Sequence, residues 1–187
     1  MPDIDIDFAD RQKLLDLIPH TRATIIDKKG IKTHNTGVYF VTTPSMSNDN
    51  QCSLDYQVAD ALGYFKVDLL NVNIYSQVKS RHHLQQLIDT PPPWEKLQDK
   101  EFVDQLFHLN NHFEVVGTLK PITLEQLAAC LAIIRPAKRS LLHKGWDEIL
   151  KHVWTKPTDN AYYFKKAHAM SYAMAVMIHM NLINSTD

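Results

Sequence analysis

Glycine is scarce in this chain: five among 187 residues, Gly30, Gly37, Gly63, Gly117 and Gly145, and no two of them close together. That scatter excludes a glycine-rich turn whose backbone N–H groups cradle a phosphate. Cysteine is scarcer still. Cys52 and Cys130 stand outside any CxxC or Cys/His spacing, so no zinc centre is implied, and two reduced thiols in a cytoplasmic setting are the simplest expectation. Long apolar runs are missing. The most apolar stretch, 167–183, carries His168, Ser171, Tyr172 and His179, too short and too polar a segment to span a bilayer, so a soluble protein with no membrane partner is predicted. Nor is there an excess of positive charge: 20 Lys+Arg against 21 Asp+Glu give no global signal for nucleic acid. A start that is acidic from Asp3 does not read as a secretory leader.

What is present fits one compact domain over 1–187. Hydrophobic residues make up 44% and charged residues 22%, enough for a full core. The stiff triplet Pro91-Pro92-Pro93 divides it into a sheet portion, 1–90, and a mostly helical portion, 91–187. Charge is unevenly shared, with 11 Lys+Arg against 16 Asp+Glu in 1–119 and 9 against 5 in 120–187. A site that takes both cations and phosphates would have such halves, and so would an ordinary protein with a modest dipole.

Local signals predict a short helix over Asp10 to Ile18 closed by Pro19, then strands over Thr21 to Thr43 around a Lys-Lys-Gly turn. Ser45 to Ser53 reads as a polar loop, with strand signals resuming near Tyr56 and a helix from Asn73 to Leu87. Thr123 with Gln126 forms a capping box for a helix that Pro136 stops. Trp146, Ile149, Leu150, Val153 and Trp154 repeat at helical spacing, and Met170, Met174, Met177 and Met180 make a second stripe. The tryptophan stripe reads as core, the methionine stripe as core or a docking face.

The most informative pattern is Asp3-Ile4-Asp5-Ile6-Asp7-Phe8. As a strand it places three acids on one face, about 6.5 Å apart at the backbone, able to converge on one divalent cation or a pair, with Ile4, Ile6 and Phe8 turned toward a core. The plain alternative is a half-buried strand with an acidic solvent face. Asp68 interrupts the apolar run Tyr64 to Leu70, and a buried acid is costly without a partner; a metal shared with Asp5 and Asp7 would supply one.

Five segments resemble, in the same order, the bacterial replicative DNA polymerase III alpha subunit, the C family of DNA polymerases. Pro2 to Phe8 is similar to its catalytic-aspartate motif, His34-Asn35-Thr36-Gly37-Val38 to its His-x-x-Gly-Val strand entry, and Phe65 to Leu70 to the motif bearing its third aspartate. Thr123 to Pro136 resembles the helix that ends in Arg-Pro-Gly-Pro, and Phe164 to Ala173 the Phe-Asn-Lys-Ser-His-x-x-x-Tyr-Ala segment. The resemblance implies that Asp5, Asp7 and Asp68 are catalytic and hold two Mg²⁺ ions, with Mn²⁺ as a substitute, Asp68 helping to activate the primer 3′-hydroxyl. Asp3 matches as well, with a lesser role. Lys66, Arg135, Lys166 and His168 fall on positions near the incoming nucleotide. The basic cluster Arg135, Lys138, Arg139 and Lys144 with the pair Lys165-Lys166 would track primer–template phosphates, Lys138, Arg139 and Lys165 as the DNA contacts; without the resemblance it reads sooner as a solvated helix face.

Departures matter too. The family's Gly-Ser phosphate motif precedes the aspartate strand, and no counterpart precedes it in this sequence; its long insertion between the aspartates is cut short, and the outer domains have no counterpart. Arg135-Pro136-Ala137-Lys138 stands for Arg-Pro-Gly-Pro and Lys165 for the asparagine. The expectation is an α+β fold, a mixed sheet flanked by helices with a mostly helical C-terminal half, of the polymerase-beta-like nucleotidyltransferase palm type. Its expected work is template-directed DNA synthesis as the catalytic part of a split or miniature phage-type polymerase in a host cytoplasm or nucleoid. It would act on primer–template DNA and deoxynucleoside triphosphates, with another polypeptide supplying the phosphate motif. The rival is an inactive polymerase-derived module that binds DNA or a replication complex.

Overall fold

The computed structural model describes residues 4–46, 50–158 and 163–185. The chain forms two compact units, Met1–Ser76 and Gln77–Asp187. The architecture is α+β, with a mixed five-stranded sheet flanked by helices in the first unit and helices alone in the second.

In the first unit the strands are β1 (Ile4–Phe8), β2 (Thr21–Asp27), β3 (Gly30–Tyr39), β4 (Gln51–Asp55) and β5 (Val67–Asn71), in the order β1-β5-β3-β2-β4. β1 runs parallel to β5, and β3 is antiparallel to both β5 and β2. The β2–β3 hairpin closes where expected: the Asp27 carboxylate accepts the Lys29 N–H at 2.7 Å, and Gly30 takes a φ of +116° that a side chain would resist. Successive residues face opposite sides of the sheet. On one side helix α1 (Arg11–Leu15), capped by Asp10, packs Leu14 and Leu15 on Val38, Val67, Leu69 and Phe8. On the other, α2 (Tyr56–Ala61), capped by Asp55, covers Ala23, Tyr39 and Cys52 with Ala59 and Tyr56, and Tyr64 of the following chain packs on the same cluster.

Three local expectations are corrected. The polar segment read as a loop contains β4, which pairs in parallel with β2 and buries Cys52. Tyr56 opens α2 rather than a strand, because the Asp55 carboxylate accepts the Gln57 N–H at 2.9 Å and starts a helix there. Ile4 and Ile6 do not enter the core: each is 41% exposed, since β1 is an edge strand and the five-residue α1 reaches only its Phe8 end.

Tyr39 is fully buried, and its hydroxyl has no hydrogen-bond partner among the described residues. Burial pushes its pKa up to about 12. An unmade buried hydrogen bond costs about 1–3 kcal/mol, so Tyr39→Phe should stabilise the protein by about 1 kcal/mol, read as a higher urea midpoint at unchanged slope.

The second unit begins before the proline triplet, because Asn181 donates from Nδ2 to the carbonyls of Leu87 and Thr90, both at 2.9 Å, and so ties helix α3 (Arg81–Asp89) to helix α8 (Lys166–Asn184). The helix expected over 73–87 is broken: a 3₁₀ turn at Asn73–Gln77 ends it, and Ser80 caps α3 afresh through the His83 N–H. Then come α4 (Lys100–Gln105), α5 (Phe113–Leu119), α6 (Leu124–Ile133) and α7 (Trp146–His152). Thr123 caps α6 by accepting the Gln126 N–H at 3.2 Å, while Gln126 reaches back to the Ile122 N–H at 2.8 Å. Small residues let α6 and α8 approach closely: Ala128, Ala129, Cys130 and Ala132 share a core with Ala169 and Ala173. The tryptophan stripe is core as expected, with Ile149 and Val153 fully buried, and Met177 and Met180 of the methionine stripe are buried too. Both cysteines are buried and free. No helix among the described residues is long and apolar enough to cross a membrane.

Candidate functional site

The parallel pairing of β1 with β5 sets Asp5 level with Asp68, and Asp7 two residues along β1 level with Leu70. Residues level across a parallel pair share a face and sit about 4.8 Å apart at the backbone, so all three carboxylates stand on one face of two adjacent strands. Asp5 and Asp7 are exposed at the sheet edge. Partial burial, then the like charge of Asp5, raises the Asp7 pKa. Tyr75 stands near it: burial raises the phenol pKa and the Asp7 charge raises it further.

Asp68 is held differently. Its Oδ1 accepts the Thr36 hydroxyl at 2.7 Å and lies 3.6 Å from His34 Nδ1, while Oδ2 takes the Lys66 ammonium in a close ion pair. Both partners of that pair are only 14% exposed. The Lys66 ammonium also lies 5.9 Å from the centroid of the Tyr56 ring, and that ring meets His34 edge-on at 5.3 Å. Among the described residues no three His, Cys, Asp or Glu side chains are gathered closely enough to cage a metal ion; an ammonium sits on the third carboxylate, where a cation would bind.

The segment His34 to Val38 explains how β3 fits beside this group. Thr24 pairs with Thr33 and Arg22 with Val38, so two steps along β2 answer five along β3, and residues 34–37 bulge out. His34 closes the bulge: its Nδ1 accepts the Gly37 N–H at 2.9 Å and the Thr36 N–H at 3.3 Å, which places the ring proton on Nε2. Burial, followed by the Lys66 charge, lowers the His34 pKa. Gly37 is level with Asp68 in the adjacent strand, and a Cβ there would stand 2.8 Å from Lys66 Cδ. Glycine therefore leaves the space through which Lys66 reaches Asp68.

The other sequence candidates lie in the second unit. The Arg135 guanidinium, just past α6, stacks on Phe164 at 5.3 Å, and Phe164 in turn lies 5.4 Å from Tyr172 and 6.5 Å from His168. The two segments singled out separately thus meet through the packing of α6 on α8. His108 belongs to the same group. Its ring meets Tyr172 at 4.5 Å, its backbone takes a left-handed φ of +59°, and burial and then the Arg135 charge lower its pKa. Lys166 pairs with Glu125 at 2.6 Å, and Arg139 pairs with Glu114. Lys165 sits exposed at the start of α8. Lys138 is a correction to the expected DNA-binding cluster: only 8% exposed, it donates from Nζ to the carbonyls of His152 and Thr155 at 2.8 and 2.6 Å, closing the C-terminal end of α7. An ammonium spent on two carbonyls is not offered to a phosphate.

Thr36, Tyr56, Tyr75 and His108 escaped the sequence reading; of these only Thr36 lay inside a motif singled out there. Asp3 lies outside the described residues. No family model, curated protein or solved structure matches the chain.

Proposed function

We propose that the first unit is the catalytic palm of a two-metal nucleotidyltransferase, a template-directed DNA polymerase module that transfers deoxynucleotides. The observation that carries the reading is Asp5 level with Asp68 on adjacent parallel strands, with Asp7 on the same face. The donor set fits hard divalent cations, which take carboxylate oxygens. The raised pKa of Asp7, caused first by partial burial and then by the Asp5 charge, fits as well, because a bound cation favours the charged carboxylate against both. Bound Mg²⁺ or Mn²⁺ would supply Lewis acidity at a phosphoryl group and a lowered pKa at the attacking hydroxyl.

The chain's own residues have definite tasks in this reading. Asp5 and Asp7 hold cations at an open edge, Asp68 is aimed by the Thr36 hydroxyl and the Lys66 ammonium, and Lys66 is a fixed positive charge beside them. In the second unit Arg135, over the Phe164 ring, would bring a guanidinium to phosphate together with His168 of α8, and Lys166 would do so on leaving Glu125. Primer–template DNA, deoxynucleoside triphosphates and a polypeptide supplying further phosphate contacts are the proposed partners.

Calorimetric titration with Mn²⁺ and a deoxynucleoside triphosphate tests it. Binding should weaken about tenfold or more in Asp5→Asn and in Asp68→Asn, since each removes a charged ligand from a small set. Heat unchanged by either substitution would eliminate the enzyme reading. One observation favours the non-catalytic rival, a polymerase-derived binding module: Asp68 already has a cation in Lys66. Primer extension by the purified chain in Mg²⁺ separates the two, because only the enzyme adds nucleotides and loses that ability in Asp5→Asn.

A further inference from the structure

On the side of the sheet covered by α1 lies a cavity of about 210 Å³, lined by Arg11, Gln12 and Leu15 of α1, Arg22 of β2 and the bulged stretch of β3 from Thr33 to Val38. No Asp or Glu lines it. We propose that this cavity binds a phosphate group, as inorganic phosphate, pyrophosphate or the terminal phosphates of a nucleotide whose base stays outside.

Four observations support the assignment. First, Arg11 is fixed in advance: one guanidinium nitrogen donates to the carbonyls of Leu69, at 3.1 Å, and Asn35, leaving the remaining donors of the fork without a protein partner among the described residues. Little side-chain freedom is then lost when an anion arrives. Second, the Arg22 guanidinium has no hydrogen bond or ion pair among the described residues and lines the same cavity as Arg11. Two guanidinium groups lining one cavity with no acid in its wall leave an anion no competitor there. Third, Thr33 and Thr36 add hydroxyls to the wall, and the Asp68 carboxylate bonded to the Thr36 hydroxyl is offset by Lys66, while the Asp16 carboxylate near the rim is taken by Gln12 Nε2 at 2.7 Å. Fourth, the volume is below the roughly 300–1,000 Å³ of pockets that enclose drug-sized ligands, so a whole nucleoside is excluded while a phosphate or diphosphate is not. Paired guanidinium forks match phosphate oxygens in shape as well as charge.

The site stands whether or not the carboxylates hold metal, so its test is run without metal. The full chain in EDTA is titrated calorimetrically with inorganic phosphate, pyrophosphate, a deoxynucleoside triphosphate and, as a control, the unphosphorylated nucleoside. Pyrophosphate should bind and raise the melting temperature, the nucleoside should not bind, and added salt should weaken binding. Arg22→Gln should weaken pyrophosphate binding about tenfold or more while leaving the unliganded melting temperature unchanged, since that side chain is exposed and makes no structural bond. Arg22→Lys, which keeps the charge and loses the fork, should fall between the two. Asp5→Asn should bind pyrophosphate like the unaltered chain, which separates this site from the carboxylate face. A triphosphate that binds about tenfold tighter than pyrophosphate assigns the pocket to a nucleotide; equal affinities assign it to free diphosphate. Absence of phosphate and pyrophosphate binding up to about 10 mM, or full affinity in Arg22→Gln, would overturn the proposal.

Discussion

Lys66→Met should lower stability by about 3 kcal/mol in metal-free buffer at neutral pH, and Mn²⁺ should then restore much of the loss. The substitution keeps the length of the side chain and deletes the ammonium. It leaves the Asp68 carboxylate, 14% exposed, with the Thr36 hydroxyl as its hydrogen-bond donor and without its lysine partner. Breaking a buried pair from one side costs about 3–5 kcal/mol because the other charge stays behind, and the slight exposure here argues for the low end. Removing both charges, in Lys66→Met with Asp68→Leu, should recover most of that amount, because an apolar pair of similar volume is often neutral or better. Urea denaturation of the single and double variants measures both figures.

The metal arm reaches function. A cation that binds the folded state alone stabilises by a logarithmic term in its concentration over its dissociation constant. With the ammonium gone, Asp68 stands level with Asp5 across β1 and β5 without its own lysine partner, so Lys66→Met should bind Mn²⁺ more tightly than the unaltered chain. Failure of Mn²⁺ to stabilise this variant would mean that the three acids do not converge on a cation, and the nucleotidyltransferase reading would fall with it.

Acidification from pH 7 to about 5 should destabilise the protein steeply. His34, His108, His112 and His179 all have lowered pKa values, with burial the leading cause in each. Unfolding returns them to the ordinary value near 6.5, so below that pH the unfolded chain binds more protons than the folded one, and stability is lost as pH falls toward the folded values. Each such proton contributes a slope of at most about 1.4 kcal/mol per pH unit. Two of the four have a structural reason to resist protonation. His34 Nδ1 accepts from the Gly37 and Thr36 amides, and His179 Nδ1 accepts the Phe107 N–H at 3.1 Å; a proton at either nitrogen would end those bonds. Asp27 and Asp104, lowered by their lysine partners, act in a more acid window, below the ordinary carboxylate value, and Asp7, raised by partial burial and the Asp5 charge, works against the loss as it takes up its proton. Melts across the range should show the loss, and His34→Asn, whose side-chain oxygen can take the place of Nδ1, should flatten it. A melting temperature constant between pH 7 and 5 would contradict the assignment.

Which parts were legible follows from how local each signal is. The Lys-Lys-Gly turn, the Thr123 cap and the tryptophan and methionine stripes depend on neighbours a few residues away, and each was visible in the string of residues. So was the placing of Asp5 and Asp68 on adjacent strands, because a lone acid in an apolar strand asks for a partner. β4 was hidden because an edge strand of five residues that fully buries only Cys52 has a polar face indistinguishable from a loop. Ile4 and Ile6 were misplaced because alternation reports a face and not whether anything covers it. Lys138 was misread because its neighbours suggest a solvated basic patch, whereas the carbonyls that bind it come from Thr155 and His152, supplied by a turn of chain not yet folded at the level of pattern. The arginine-lined cavity gathers Arg11, Arg22 and Thr33 from three elements, and no spacing rule predicts that.

The pairing of Ile4–Phe8 with Val67–Asn71 has a kinetic side. A parallel strand pair closes a loop that contains nearly all of the first unit, and the hairpin of β2 with β3 can zip long before that loop shuts. The edge strand that carries Asp5 is therefore the natural latecomer to assembly, arriving against the repulsion of the carboxylate already seated at Asp68. Lys66 is then also a chaperoning charge: bound to Asp68, it mutes the negative surface onto which an acidic strand must land.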